Sequence, residues 1–285
     1  MLVTGAAGFL GGASVAAVQA AGFVALPAAR AGGGMIALDL GDPAALLRTL
    51  DDVRPDAIIN CAAKVDFGVD TLHAQYPVNV LTPALMAHWA RRAGAMLVQA
   101  STVVVHGLRI ERIEAETPLH TDSDYARSKV LAEELIAASG CRSAILRFAG
   151  IFGIRGPEHM GVNVAIRAAR ANASQMLQGD GRARRNYVHV DDAAAALVHC
   201  LAHGLQGSFR MGGAETLAIH EMLAIAREVF GSMQPVTQLQ GTSGRDQIVV
   251  SSAGLPAARS FRAALADEAA RRLVAPAAQQ KSEVV

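Results

Sequence analysis

The sequence predicts an α/β fold, a doubly wound parallel sheet with a small C-terminal lobe. Three observations carry this. A short β-rich run enters a glycine-spaced turn at the very start, Met1-Leu-Val-Thr-Gly5, and an Ala-rich apolar stretch, Gly12 to Ala21, leaves it. Strand-like apolar runs and helical patterns then alternate to about residue 150, the arrangement that buries a parallel sheet between two helical layers. After Gly153 the regularity falls, with glycine, proline and basic residues clustered up to Gly161.

The elements follow in order. Phe23 to Leu26 is the expected second strand, and Pro43 to Leu50 a helix begun at Asp42. Asp56 to Asn60 reads as a buried strand, Ala84 to Ala93 as a helix, and Met96 to Ala100 as a strand. Tyr125 to Ser139 is a helix stopped by Gly140, and Ala144 to Phe148 the next strand. Further helices are expected over 164–173, 191–202, 220–230 and 260–273, with a strand at Ser208 to Met211. The expected division is a dinucleotide-binding domain over 1–155, to which 185–205 return, and a substrate-binding lobe made of 156–184 and 206–275. Residues 276–285 are polar and read as a frayed tail.

Composition narrows the function. With 26 Lys and Arg against 25 Asp and Glu, the net charge of +1 gives no electrostatic case for nucleic acid or an anionic membrane. No uncharged apolar run is long enough to span a bilayer, and no basic-then-apolar leader is visible. Cys61, Cys141 and Cys200 have neither metal spacing nor a disulfide pattern, so no metal is expected and the thiols read as reduced, in a cytoplasmic protein.

The opening turn is the first chemical motif. Gly5 permits the tight turn, Gly8 lets backbone approach a pyrophosphate, and Gly11 lets the helix pack on the strand. The helix start at Phe9 and Leu10 then offers free N–H groups and a positive dipole end to the diphosphate. The second motif is Tyr125-x-x-x-Lys129, which puts a phenol and an ammonium on one helix face. Acid–base work near neutrality asks a tyrosine of pKa about 10 to drop by about 3 units, roughly 4 kcal/mol. A cation about 5 Å away at an effective dielectric of about 20 supplies on the order of 3 kcal/mol. Upstream, a strand ends at Ala100-Ser-Thr102 and brings a hydroxyl to the same sheet edge.

Together with Asn60-Cys-Ala-Ala63, Asn79-Val80, Val105-His-Gly107, Leu146-Arg147 and the segment Gly179 to Asp192, these motifs occur in the order of the extended short-chain dehydrogenase/reductases. The chain resembles their nucleotide-sugar epimerase/dehydratase group over roughly residues 1 to 215. The resemblance implies a Rossmann-type domain and a catalytic trio. Thr102 would orient the substrate oxygen and Tyr125 transfer a proton. Lys129 would bind the nicotinamide ribose and depress the tyrosine's pKa. It further implies that Asp39 and Leu40 meet the adenine, that Asn60, Cys61, Ala62 and Ala63 line the cofactor, and that Asn79 braces the central helix. Arg185 would hold the substrate's diphosphate, and Asn163, on a looser match, would touch its nucleotide. Family habit implies a homodimer.

The departures carry information. The usual acidic residue closing the second strand is replaced by Ala29, followed by Arg30. A carboxylate suits the ribose hydroxyls of NAD and an arginine the 2′-phosphate of NADP, so NADP is favoured, with NAD the alternative. Val103-Val104 stand where the sugar dehydratases carry Asp-Glu, which disfavours water elimination. The leading expectation is an NAD(P)-dependent epimerase or 4-ketoreductase of a nucleotide sugar. The alternatives are an oxidoreductase of another carbonyl or alcohol, and a cofactor-sensing regulator without turnover.

Overall fold

In a computed structural model, residues 1–30, 33–242 and 244–274 are described; the expected tail at 276–285 lies outside them. Seven strands form one parallel sheet: β1 (Leu2–Thr4), β2 (Leu26–Ala29), β3 (Ile36–Ala37), β4 (Ala57–Asn60), β5 (Met96–Thr102), β6 (Arg142–Phe148) and β7 (Gly207–Met211). Their order is β7-β6-β5-β4-β1-β2-β3. The order reverses beside β1, where β4 lies on one side and β2 on the other, opening a crevice at the strands' C-terminal ends.

Continuous apolar runs form these strands because both sheet faces are covered. Val3, Ile59, Val98 and Leu146 point to one face and join Val18 of α1 (Phe9–Ala20). Their neighbours Leu2, Ile58, Leu97 and Ile145 point to the other. There they meet Leu46 and Leu50 of α2 (Pro43–Val53), Met86 and Ala90 of α3 (Thr82–Ala93) and Ile136 of α4 (Asp124–Ser139). Helix ends follow local chemistry. Asp42 accepts from the N–H groups of Ala44 and Ala45 to start α2, and Ser123 accepts from that of Ala126 to start α4. Gly94 and Gly140, in left-handed backbone, close α3 and α4.

Beyond β6 the chain builds a third core in which Phe152, Val162, Ile166, Met222 and Phe261 pack together. They come from the stretch after β6, α5 (Gly161–Arg170), α7 (Ile219–Phe230) and α8 (Phe261–Val274). Between them α6 (Val190–Ala202) returns to the main sheet and packs with α1 through Ala193, Ala196 and Leu197.

Two expectations are corrected. The second strand runs Leu26–Ala29, not Phe23–Leu26. Phe23 and Val24 are 38% and 75% exposed, so they have no core to fill. Pro27 is tolerated because β3 begins to pair only at Ala28, leaving that side of the proline without a ladder. Gly207–Met211, expected in the lobe, is instead β7, hydrogen-bonded along its length to β6 from Ala144 to Phe148.

Candidate active site

A cleft of about 560 Å³ opens over the C-terminal ends of β1, β2 and β4. Gly5 and Gly8 floor it, Ala29, Arg30, Asp39 and Leu40 form one wall, and Cys61, Ala62, Ala63 and Lys64 the other. The glycines are required by geometry. Gly5 has φ +66°, and a Cβ there would stand 2.9 Å from the Ala62 nitrogen; a Cβ on Gly11 would stand 2.0 Å from the Gly5 carbonyl oxygen. Helix α1 starts at Phe9 without a side-chain cap and without an acidic residue in its first turn. That bare positive end beside the glycine turn fits a dinucleotide's diphosphate.

Behind the floor runs a buried polar relay. Thr4 donates to Asn60 Oδ1 at 2.6 Å, Asn60 Nδ2 to Gln99 Oε1 at 2.8 Å, and Gln99 Nε2 to the Ala100 carbonyl at 2.8 Å. Asn60 is therefore a tie between strands, and the lining starts at Cys61. Asp39 lines the cleft while its carboxylate accepts from the Gly41 N–H at 2.9 Å, so it shapes its own turn. Asn79 sits on a π-helical turn, Pro77–Leu81. Its amide clamps Lys64, accepting from the N–H at 2.8 Å and donating to the carbonyl at 2.9 Å, and also donates to Ser128 Oγ at 3.0 Å. This joins the cleft wall to α4.

Lys129, on α4, is buried and donates to the Ala100 carbonyl at 2.8 Å. Burial pulls its pKa down to about 8 against the charges of Glu133 and Cys61. Tyr125, one turn earlier, is buried with the Phe67 ring edge-on at 5.2 Å between centroids. Thr102 ends β5, its Oγ1 accepting from the Val104 N–H at 3.2 Å to begin a short 3-10 turn, Val103–His106. The expected depression of the phenol by Lys129 is not what this geometry gives. Burial pushes Tyr125 up to about 12, and the ammonium is committed to Ala100.

The two expected substrate ligands are occupied elsewhere. Asn163, fully buried, accepts from the Gly153 N–H at 3.1 Å and donates toward the Ile151 and Pro157 carbonyls, both at 3.4 Å. Arg185 donates to the carbonyls of Arg184 and Arg245. Loop backbone reaches both side chains, which sequence spacing does not reveal. Conversely, Lys64 and Gln99 escape the sequence reading. Lys64 directly follows the lining triplet, a signal that could have found it; the role of Gln99 needs the strand pairing.

A parallel sheet with a switch-point cleft, an uncapped glycine-led helix and a buried Tyr-Lys pair define a dinucleotide-dependent enzyme. A model of the NAD dependent epimerase/dehydratase family matches residues 1–212, and the chain belongs to that family, within the extended short-chain dehydrogenase/reductases. It is 30% identical over 220 residues to the dTDP-4-dehydrorhamnose reductase of Mycobacterium tuberculosis, covering 73% of this chain and 67% of that one. It is 26% identical over 276 residues to the UDP-glucose 4-epimerase of Azospirillum brasilense, covering 83% and 79%. Among solved structures it resembles the Thermus thermophilus UDP-glucose 4-epimerase in complex with NAD. That match has TM-score 0.73 and 26% identity and covers 88% of this chain and 89% of that one. The UDP-N-acetylglucosamine 4-epimerase of Bacillus cereus shares the fold at TM-score 0.82 and 21% identity, over 96% and 97%. Among the described residues no helix is long and apolar enough to cross a membrane.

Proposed function

We propose that the chain is an NADP-preferring 4-ketoreductase or epimerase acting on a sugar carbon of a nucleotide sugar. One observation carries the reading. Asn79 ties Lys64 of the cleft wall to Ser128 of the helix that carries Tyr125 and Lys129, so the Tyr-Lys pair and the cleft form one continuous site.

The bare start of α1 and the glycine turn would hold the cofactor's diphosphate. Arg30 directly follows the end of β2 and lines the cleft with no acidic partner among the described residues, the place and charge that favour a 2′-phosphate. Lys129 would hold the ribose, Thr102 orient the substrate oxygen, and Tyr125 carry its proton. The nicotinamide supplies the hydride exchange. Burial keeps the Tyr125 phenol protonated at neutral pH, so it holds a proton for a carbonyl oxygen, the ketoreductase direction. Epimerisation also needs an oxidising half-reaction, for which the Lys129 ammonium must turn from Ala100 toward the phenol. Val103 and Val104 provide no acid or base for dehydration. The same reading takes the protein as a cytoplasmic homodimer, on family habit.

A second reading, a carbonyl or alcohol substrate without a nucleotide, is favoured by the engagement of Asn163 and Arg185 with backbone. Thermal stabilisation separates the two. NADPH or NADH is tested alone and with UDP, dTDP or GDP; a ligand at about 100 times its Kd adds roughly 2.7 kcal/mol. A further shift from one nucleoside diphosphate supports the sugar-nucleotide reading. A shift from cofactor alone moves the search to small carbonyls and alcohols.

A further inference from the structure

One turn past Lys129, Glu133 is 5% exposed and its carboxylate is enclosed by partners from other elements. Ser101 donates to Oε1 at 2.5 Å, and Arg147 of β6 binds both oxygens, its Nη2 at 2.6 Å and Nε at 3.0 Å from Oε2, and its Nε at 3.3 Å from Oε1. Arg147 Nη1 in turn lies 3.3 Å from His106 Nε2, and His106 Nδ1 lies 3.1 Å from the Pro118 carbonyl. No part of this network reaches the cleft. Its position is nonetheless specific. Lys129 is tied to Ala100 and Glu133 to Ser101, consecutive residues of β5, and the next residue is Thr102.

We propose that Glu133 is a positioning residue for Lys129. Its carboxylate, fixed by Ser101 and Arg147, keeps the buried ammonium charged and sets the register of α4 on β5, so that Lys129, Tyr125 and Thr102 meet at one place. Buried ion pairs are costly to assemble and are retained where they specify an arrangement. The groups facing Lys129 support the assignment. Tyr125 and Glu133 share its helix, and Cys61 approaches from the end of β4. Arg147 and His106 lie beyond Glu133, and Asn79, from the π-helical turn, is neutral. Burial pushes the Cys61 thiol up to about 11, so among the described residues Glu133 is the anion that offsets the burial of Lys129 at neutral pH.

The inference rests on the cofactor role given to Lys129, and its test separates the two. The chain has three lysines, Lys64, Lys129 and Lys281, so 13Cε-lysine resonances titrate individually, with Lys129→Arg assigning the site. In the cofactor-free protein, Glu133→Gln should move the Lys129 midpoint down by about one pH unit or more. Glu133→Asp, which keeps the charge, and Ser101→Ala, which removes only one hydrogen bond, should leave it near the wild-type value. If Glu133→Gln does not fold with Arg147 unpaired, Glu133→Gln/Arg147→Met removes both charges and should move the midpoint down by less, because losing the Arg147 cation favours the ammonium and offsets part of the loss of Glu133. The cofactor affinity of the neutralised variant should fall about fivefold at pH 8 and recover toward pH 6. An unmoved midpoint, or an affinity loss equal at both pH values, overturns the positioning role. Absence of cofactor binding by the wild type overturns the proposed function, while the lysine resonance still decides the assignment of Glu133.

Discussion

The β2 and β5 sides of the candidate site are built on opposite principles. At the β2 end, Arg30, Asp39 and Lys64 are exposed and held mainly through backbone; the Asn79 clamp grips Lys64 by its peptide groups and leaves the side chain in solvent. At the β5 end, Tyr125 and Lys129 are buried and enclosed by Phe67, Ala100 and the Glu133 network. Water at the first end screens charge, so those residues act through attraction to a ligand that brings its own charge. Burial at the second end moves the protonation equilibria themselves, upward for the phenol and downward for the ammonium. On the proposed function, recognition and chemistry would thus fall to different sides of the site.

The largest test of this contrast is at the buried end. Tyr125→Phe, at unchanged ring packing, should lower turnover by about 10²–10⁴-fold while cofactor affinity, read by nicotinamide fluorescence, stays nearly intact. Equal loss of both would mean the phenol holds ligand and does not move a proton. Next comes the exposed end. Arg30→Ala should weaken NADPH by about 10–100-fold, the value of a charge-assisted contact, and leave NADH nearly unchanged; equal effects on the two would end the NADP preference. The wild-type advantage should also shrink as salt is raised.

The smallest effect is thermodynamic. Lys129 titrates near 8 when folded against 10.5 as its ordinary value, so between these pH values the unfolded chain binds more protons. Stability should rise with pH across that window, by at most about 1.4 kcal/mol per pH unit from this group. Tyr125 contributes the opposite sign only above about pH 10, because its folded pKa is raised. Cys61 and Cys200, raised from 9.0 to about 11, contribute the opposite sign above about pH 9, so urea midpoints at pH 7.5 and 8.5 check this, with Lys129→Met removing the rise.

Much of this is readable in the sequence, and the limits have physical causes. Helix α4 and its stop at Gly140 follow from local spacing and a left-handed cap, and the glycine turn from steric demands that no other residue meets. The second strand is misplaced by sequence reasoning because Phe23 and Val24 look like core, and only pairing with β1 shows that the ladder starts later. Cys61 to Ala63 and Arg30 are legible as lining because they directly follow strand ends, whose direction a parallel sheet determines. The contacts of Asn163 and Arg185 are not legible for the converse reason. Each lies in an irregular stretch where the partners are loop carbonyls, and nothing in the spacing says which will be near. The Glu133–Arg147 pair is likewise invisible until α4 and β6 are side by side.

The path of the chain through β7 has a further consequence. The backbone leaves the sheet after β6, contributes α5 to the third core, returns for α6 and β7, and leaves again for α7 and α8. No single scission separates the sheet from the smaller core, since a break after β6 leaves β7 with the smaller core and a break after β7 leaves α5 with the sheet. Such an enzyme is poorly suited to recombination by whole-module exchange.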